Sequence, residues 1–299
     1  MRELDRFLEA HVERRATLRD GTALATYREE PPVTVFWEQA GGEPRWVSRL
    51  HDWGDQASPL PLYLTDEGLA AVAPTGAQAP DEYTHTAAGS QGVANPAYAS
   101  GSFPNDYAWD DVAPPEGAAL AYTSAPFERD TPLLGSASAD LWITATSPNV
   151  DLQVTLTEIR PDGQEVYVQQ GWLRAKQRGL DTEASSQLLP VQTHVVEDVQ
   201  PLSSTTPALA RVEVFPFGHL FREGSRLRIW IEAPTVLPQL WGFAADPTPA
   251  RVQVWHDAAH PSRLVLPVAD GIGVPAVASE QPPCGEPLRQ PCRNDPRPG

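Results

Sequence analysis

The sequence predicts a mainly β fold, a jelly-roll β-sandwich preceded by a short α/β segment, on three observations. Short runs in which apolar and polar residues alternate recur from Leu120 onward, turn signals rich in Gly, Pro and Asp separate them, and no helical periodicity intervenes. Strands with one apolar face need a second sheet to cover it, and a jelly roll ties off the edges of two facing sheets.

The elements follow in order. From Arg2 to Arg15 the pattern is helical: Leu4, Phe7, Leu8 and Val12 share one face, with Glu3, Asp5, Glu9 and Glu13 outside it. After a polar turn at Gly21, Pro31 and Pro32 block helix ahead of a strand at Val33 to Trp37, and a second short strand is expected at Leu60 to Leu64. Between Thr65 and Glu116 the composition shifts to Gly, Pro, Ala, Ser and Asp, which predicts a long connection or irregular lobe. Its aromatic residues Tyr83, Tyr98, Phe103, Tyr107 and Trp109 suggest that it packs against something. Further on, Leu152, Val154 and Leu156 alternate with Asp151, Gln153, Thr155 and Thr157, the pattern of a strand with one buried face. The turn at Pro161 to Gly163 leads into a partner strand at Val166 to Gln170. Val212 and Val214, then Leu227, Ile229 and Ile231 after the turn at Arg222 to Ser225, repeat the alternation. Val252 and Val254, and finally Leu264 to Val268, close the set.

At 299 residues and 41% hydrophobic content the chain can bury a sizeable core. A formal net charge of -17, with Lys176 the single lysine and no basic run, argues against nucleic acid or an anionic membrane as partner. No stretch has the apolar length to cross a bilayer, and the charged N-terminus lacks the apolar segment of a secretory signal. The two cysteines, Cys284 and Cys292, are spaced to close a small loop worth roughly 2–3 kcal/mol if oxidised. A zinc site needs four ligands and no His or further Cys lies near them, so no metal and no cofactor are expected. Oxidation would imply an oxidising compartment, at odds with the missing export signal unless a preceding region carries it.

Candidate chemistry is sparse. An α/β-hydrolase exposes its nucleophile in G-x-S-x-G, where small residues permit a strained strand-to-helix turn, and no serine here has glycine at both positions. Gly135 to Ser138 is the nearest imitation, placed ahead of a strand. His256 and His260 have the spacing of a metal-binding helix pair, but Pro261 follows and no glutamate lies between, so both read as surface or inter-sheet histidines. His194 with Glu197, and His51 with Asp52, are weaker still; His219 is expected at a strand bend against a neighbouring domain. Nine tryptophans could form a sugar-stacking platform or serve core and interface packing, and packing is the preferred reading.

Several segments together carry a resemblance: YTSAPF at Tyr122, SPNVDL at Ser147, RPDG at Arg160, GWLRA at Gly171, HLFREGSRLRI at His219 and HPSRLVLPV at His260. In this order they resemble the C-terminal, non-catalytic jelly-roll domain of the X-Pro dipeptidyl-peptidase and cocaine-esterase family of serine hydrolases, over about Arg2 to Val268. The resemblance implies a galactose-binding-like jelly roll at 71–275, a remnant of an α/β-hydrolase domain at 1–70 whose last strands are those at Val33 and Leu60, and a Pro/Cys-rich tail at 276–299. It implies a catalytic α/β-hydrolase domain as partner, upstream or in trans, acting on esters or X-Pro peptides. No position here matches the family's Ser, Asp or His, so the chain is expected to be inactive alone. A loop that in the family packs near the active-site mouth would correspond to Gly92 to Tyr107, which makes Tyr98, Phe103 and Tyr107 candidates for substrate contact. The cysteine tail looks like that of secreted members, implying an extracellular or periplasmic full-length protein. The alternative is a stand-alone carbohydrate- or ligand-binding jelly roll.

Overall fold

Apolar alternation of period two dominates the chain, and the computed structural model resolves it into two facing antiparallel sheets; it describes residues 2–38, 43–53, 57–86, 97–98, 107–108, 114–234, 246–276, 280–283 and 292–297. Two helices come first, α1 (Arg2–His11) and α2 (Leu24–Glu29). The strands are β1 (Val33–Trp37), β2 (Trp46–Leu50), β3 (Ser58–Thr65), β4 (Gly68–Ala70), β5 (Asp81–His85), β6 (Ala97–Tyr98), β7 (Tyr107–Ala108) and β8 (Ala119–Thr123). They continue with β9 (Thr131–Ala145), β10 (Asp151–Ile159), β11 (Gln164–Arg174), β12 (Ala208–Phe221), β13 (Arg226–Glu232), β14 (Ala250–Trp255), β15 (Arg263–Val268) and β16 (Cys292–Asn294).

The smaller sheet has the order β16-β11-β10-β13-β8; the larger runs β4-β3-β15-β9-β14-β5, with β12 on the other side of β9. Leu152, Val154, Leu156, Ile229 and Ile231 of the small sheet meet Leu141, Ile143, Val212, Val214, Val252, Val254 and Leu264 of the large one in a single core. All but Leu141 and Ile143 are residues whose alternation predicted the sandwich. The β10–β11 hairpin closes at Asp162 and Gly163, the glycine taking φ +83°, a conformation that a side chain disfavours. Where β11 passes β12, a Cβ at Gly171 would lie 1.7 Å from the Glu213 carbonyl oxygen, so only glycine permits that approach.

Four expectations are corrected. The strand at Leu60 to Leu64 does not belong to a preceding hydrolase sheet: it is β3, paired with β15 inside the large sheet, with Leu62 and Leu64 in the sandwich core. Among the described residues Val33 to Trp37 pairs only with β2, and this hairpin lays Val35 and Trp37 on Leu134, Ala269 and Ile272 of the sandwich. The connection from Thr65 to Glu116 is not irregular throughout, because β4 and β5 extend the large sheet and Tyr83 is 1% exposed in its core. Gly135 to Ser138 also lies within β9 rather than ahead of a strand.

Candidate functional site

Helix α1 is oriented against the ordinary rule. A surface helix turns its apolar stripe inward and its charges outward, whereas here the charged side faces the chain. Arg6 pairs with Glu30 at 2.6 Å and Asp20 at 3.0 Å, Glu9 accepts the Arg19 backbone N–H at 2.7 Å, and Ala10 is buried beside them. The apolar side is left outside: Leu4, Phe7, Leu8 and Val12 are 56%, 50%, 40% and 67% exposed. The β1–β2 hairpin repeats the arrangement. Its inner face stacks Trp37 on Trp46 over the sandwich, while Phe36 and Val47, directly opposite one another, are exposed on the outer face. Glu30 ties the two together, reaching Arg6 on α1 and Arg49 on β2. Exposed apolar residues thus occur on two elements that the same carboxylate links.

Among the described residues the one Ser–acid–His contact has the wrong order for nucleophilic catalysis. Ser225 donates to Glu158 Oε1 at 2.6 Å, and Glu158 Oε2 lies 3.0 Å from His219 Nε2. The carboxylate sits in the middle, so the imidazole cannot take the serine proton as a triad histidine does. Burial alone would raise the Glu158 pKa, but His219, Ser225 and Arg160 outweigh it and hold the carboxyl below its usual value. His219 thus lies between the sheets rather than at an outer bend. Among the described residues no serine hydroxyl donates to a histidine ring.

The other histidines are similarly occupied. Buried His256 contacts Asp81 at 3.2 Å, and Tyr122 donates to the same carboxylate at 2.6 Å. The Asp81 contact holds His256 above its usual pKa, and His256 in turn holds Asp81 below. Buried His85 accepts the Asp151 N–H at Nε2, leaving Nδ1 to donate to the Thr248 carbonyl, the pattern of a neutral ring, and burial lowers its pKa. His260 pairs with Asp257 and meets Trp142 and Trp255 edge-on, at 5.3 and 5.6 Å. His194 and Glu197 are exposed, as are His51 and Asp52. Among the described residues no three His, Cys, Asp or Glu side chains are grouped to hold a metal.

Of the substrate-contact candidates, Tyr98 and Tyr107 are register partners in β6 and β7, and Phe103 lies outside the described residues. Cys292 opens β16 and is disulfide-bonded, while Cys284 lies outside the described residues. The inverted helix was only half visible to sequence reasoning, because periodicity shows a stripe and not what it faces.

Fold and site together define a β-sandwich domain that leaves apolar side chains exposed on α1 and on the β1–β2 hairpin. Residues 26–264 match the X-Pro dipeptidyl-peptidase C-terminal non-catalytic domain, and the chain belongs to that family. It is similar to a protein of Mycobacterium bovis named "Putative serine esterase Mb1866c", 29% identical over 274 residues, covering 89% of this chain and 40% of that one. Its fold is similar to that of a CocE/NonD family hydrolase from Staphylococcus aureus, with a TM-score of 0.67 and 17% identity over 90% of this chain and 45% of the other. It is also similar to that of an aminopeptidase from a Thaumarchaeota archaeon, with a TM-score of 0.58 and 19% identity over 88% of this chain and 43% of the other. The chain therefore spans less than half the length of each relative. Among the described residues no helix is long and apolar enough to cross a membrane.

Proposed function

We propose that this chain is the non-catalytic part of a serine hydrolase cleaving esters or X-Pro peptides, and that it braces a catalytic α/β-hydrolase domain against the outer face of α1 and the β1–β2 hairpin. The observation that carries this reading is the outward apolar stripe Leu4, Phe7 and Leu8, continued by Val12 just past the helix end, on a helix whose Arg6 and Glu9 are already engaged. The family match begins at residue 26, after α1, which fits a helix that packs with the preceding domain. The names of the relatives, an esterase, a hydrolase and an aminopeptidase, supply the class of reaction. The triad belongs to the partner, so this chain alone does not turn over substrate. The full-length protein works outside the cytoplasm, a reading supported by the disulfide-bonded Cys292.

The test is to read the source DNA upstream of the Met1 codon, express the extended frame, and treat both proteins with a fluorophosphonate probe. Labelling of the extended protein and not of this chain is expected. Stoichiometric labelling of this chain alone, or an upstream region encoding no hydrolase, overturns the reading.

A second reading has one observation in its favour. Trp142 and Trp255 lie side by side on the outer face of the large sheet, half-buried, with Thr144 and Gln253 as polar neighbours. An indole pair flanked by hydrogen-bonding groups is a surface on which a sugar ring can stack. Glycan titration, with Trp255→Ala as control, separates this reading from the first.

A further inference from the structure

The tail that reads as Pro- and Cys-rich coil completes the small sheet. β16 pairs antiparallel with β11, setting Cys292 opposite Val166, Arg293 opposite Glu165 and Asn294 opposite Gln164. Beyond it the Asp295 N–H reaches the Gly163 carbonyl at 3.0 Å. The side chains do more than the ladder. Glu165 is fully buried and accepts from Trp230 Nε1 at 2.7 Å, Thr157 Oγ1 at 2.8 Å and Arg293 Nε at 2.8 Å. Asp295 takes Arg228 in a two-bonded pair at 2.6 and 3.1 Å. Arg228, Arg293 and Arg297 surround the Trp230 ring at 5.3 to 5.7 Å, and that indole is fully buried.

The ends of this segment are held unequally. Residues before it are docked on the sandwich: Glu280 and Pro282 give their carbonyls to Arg45 and Arg160, and Gln281 donates to Glu158. β16 itself is three residues on a sheet edge, too short to hold its place by ladder bonds alone. Its first residue is the one that carries the disulfide.

We propose that residues 292–297 form an oxidation-locked strap, seated on β11 while Cys292 is disulfide-bonded and released on reduction, so that the Glu165–Trp230 face opens while the two-sheet core stays folded. Reduction by a dithiol transfers two electrons and two protons to this chain, giving two thiols, and leaves the reductant as its own disulfide. Departure of Arg293 removes the nearer of the two cations against Glu165, Arg228 at 3.6 Å being the other, and water then follows to that carboxylate. The strap is independent of the catalytic partner, so its failure and that of the proposed function are separable.

Hydrogen exchange of the whole chain, followed by mass spectrometry before and after dithiol treatment and in Cys292→Ser, tests this. Peptides covering 292–297 and the β11 partners 164–166 should exchange at least about tenfold faster in the reduced and variant proteins, with β9 and β12 unchanged. Tryptophan emission should shift to the red on reduction, and that shift should vanish in Trp230→Phe. Equal protection of 292–297 in oxidised and reduced protein overturns the proposal. So does loss of protection throughout both sheets together, which would make the disulfide a lock on the whole fold.

Discussion

Helix α1 and the outer face of the small sheet break the inside–outside rule in opposite directions. The helix exposes apolar side chains, and the sheet face buries ionisable ones: Glu165, Glu232, Arg228 and Arg293 are each no more than 4% exposed. The difference lies in what completes each surface. Arg293 and Asp295 of the chain's own tail supply the counter-charges for the sheet face, whereas Leu4, Phe7, Leu8 and Val12 stay 40–67% exposed. One surface draws its counter-charges from the chain itself, and the other leaves apolar side chains exposed. Mutations should therefore act in different places: those on the sheet face on the stability of this chain, those on the helix on its association.

The largest effect should come from Arg293→Met. Removing one partner of a buried pair leaves the other uncompensated, which costs about 3–5 kcal/mol; Arg228, 3.6 Å from Glu165, should keep the loss near the lower figure. Denaturant melts read it directly. A loss below about 1 kcal/mol would mean that water already serves Glu165 and that the comparison above is wrong on the sheet side.

Glu232 sharpens the same side through pH. Burial pushes its carboxyl up to about 8, against the opposing pull of Arg293 and a bond from Gln153, and its Oε2 has no hydrogen-bond partner among the described residues. The folded pKa is raised above the unfolded value near 4.5. The proton is therefore held more tightly in the folded state; the contribution is fully present below the unfolded value and is lost as pH rises through the folded one. Wild type should lose stability relative to Glu232→Gln between pH 4.5 and 8, by an amount on the order of a few kcal/mol, and the two should run parallel outside that window. Parallel melts throughout would show a carboxyl already hydrated.

Ser225→Ala should cost about 1–2 kcal/mol by removing a buried donor to Glu158. Restoring the extended protein and finding its fluorophosphonate labelling unchanged in this variant would confirm that Ser225 serves packing. Lost labelling would return it to the chemistry.

How much of this was legible depends on range. The core strands were visible because alternation is a local property: Leu152, Val154 and Leu156 declare their inner face wherever the strand sits. Sheet membership was not, since nothing in Leu60 to Leu64, interrupted by Pro61, says whether its partner is a hydrolase strand or β15. The segment from Cys292 to Asn294 has no strand pattern at all. Its conformation comes from a vacant edge on β11 and from Arg293 meeting Glu165, a pairing 128 residues apart in sequence. The candidate face shows the same limit, because the stripe on α1 was read correctly as amphipathic, but only the ion pairs of Arg6 and Glu9 reveal which side the chain itself uses.

The smallest effect on this chain should be the most telling for its function. Phe7→Ser with Leu8→Asp changes residues that touch solvent, so stability should move by no more than about 0.5 kcal/mol. Light scattering should show less self-association, since the exposed stripe has lost its apolar character. In the extended protein the same pair would place a charge in a buried contact, and a loss several times larger is expected, with a fall in esterase or peptidase turnover. If the pair destabilises this chain as strongly as the extended one, the stripe is already covered within the chain, and the contrast between the two surfaces disappears.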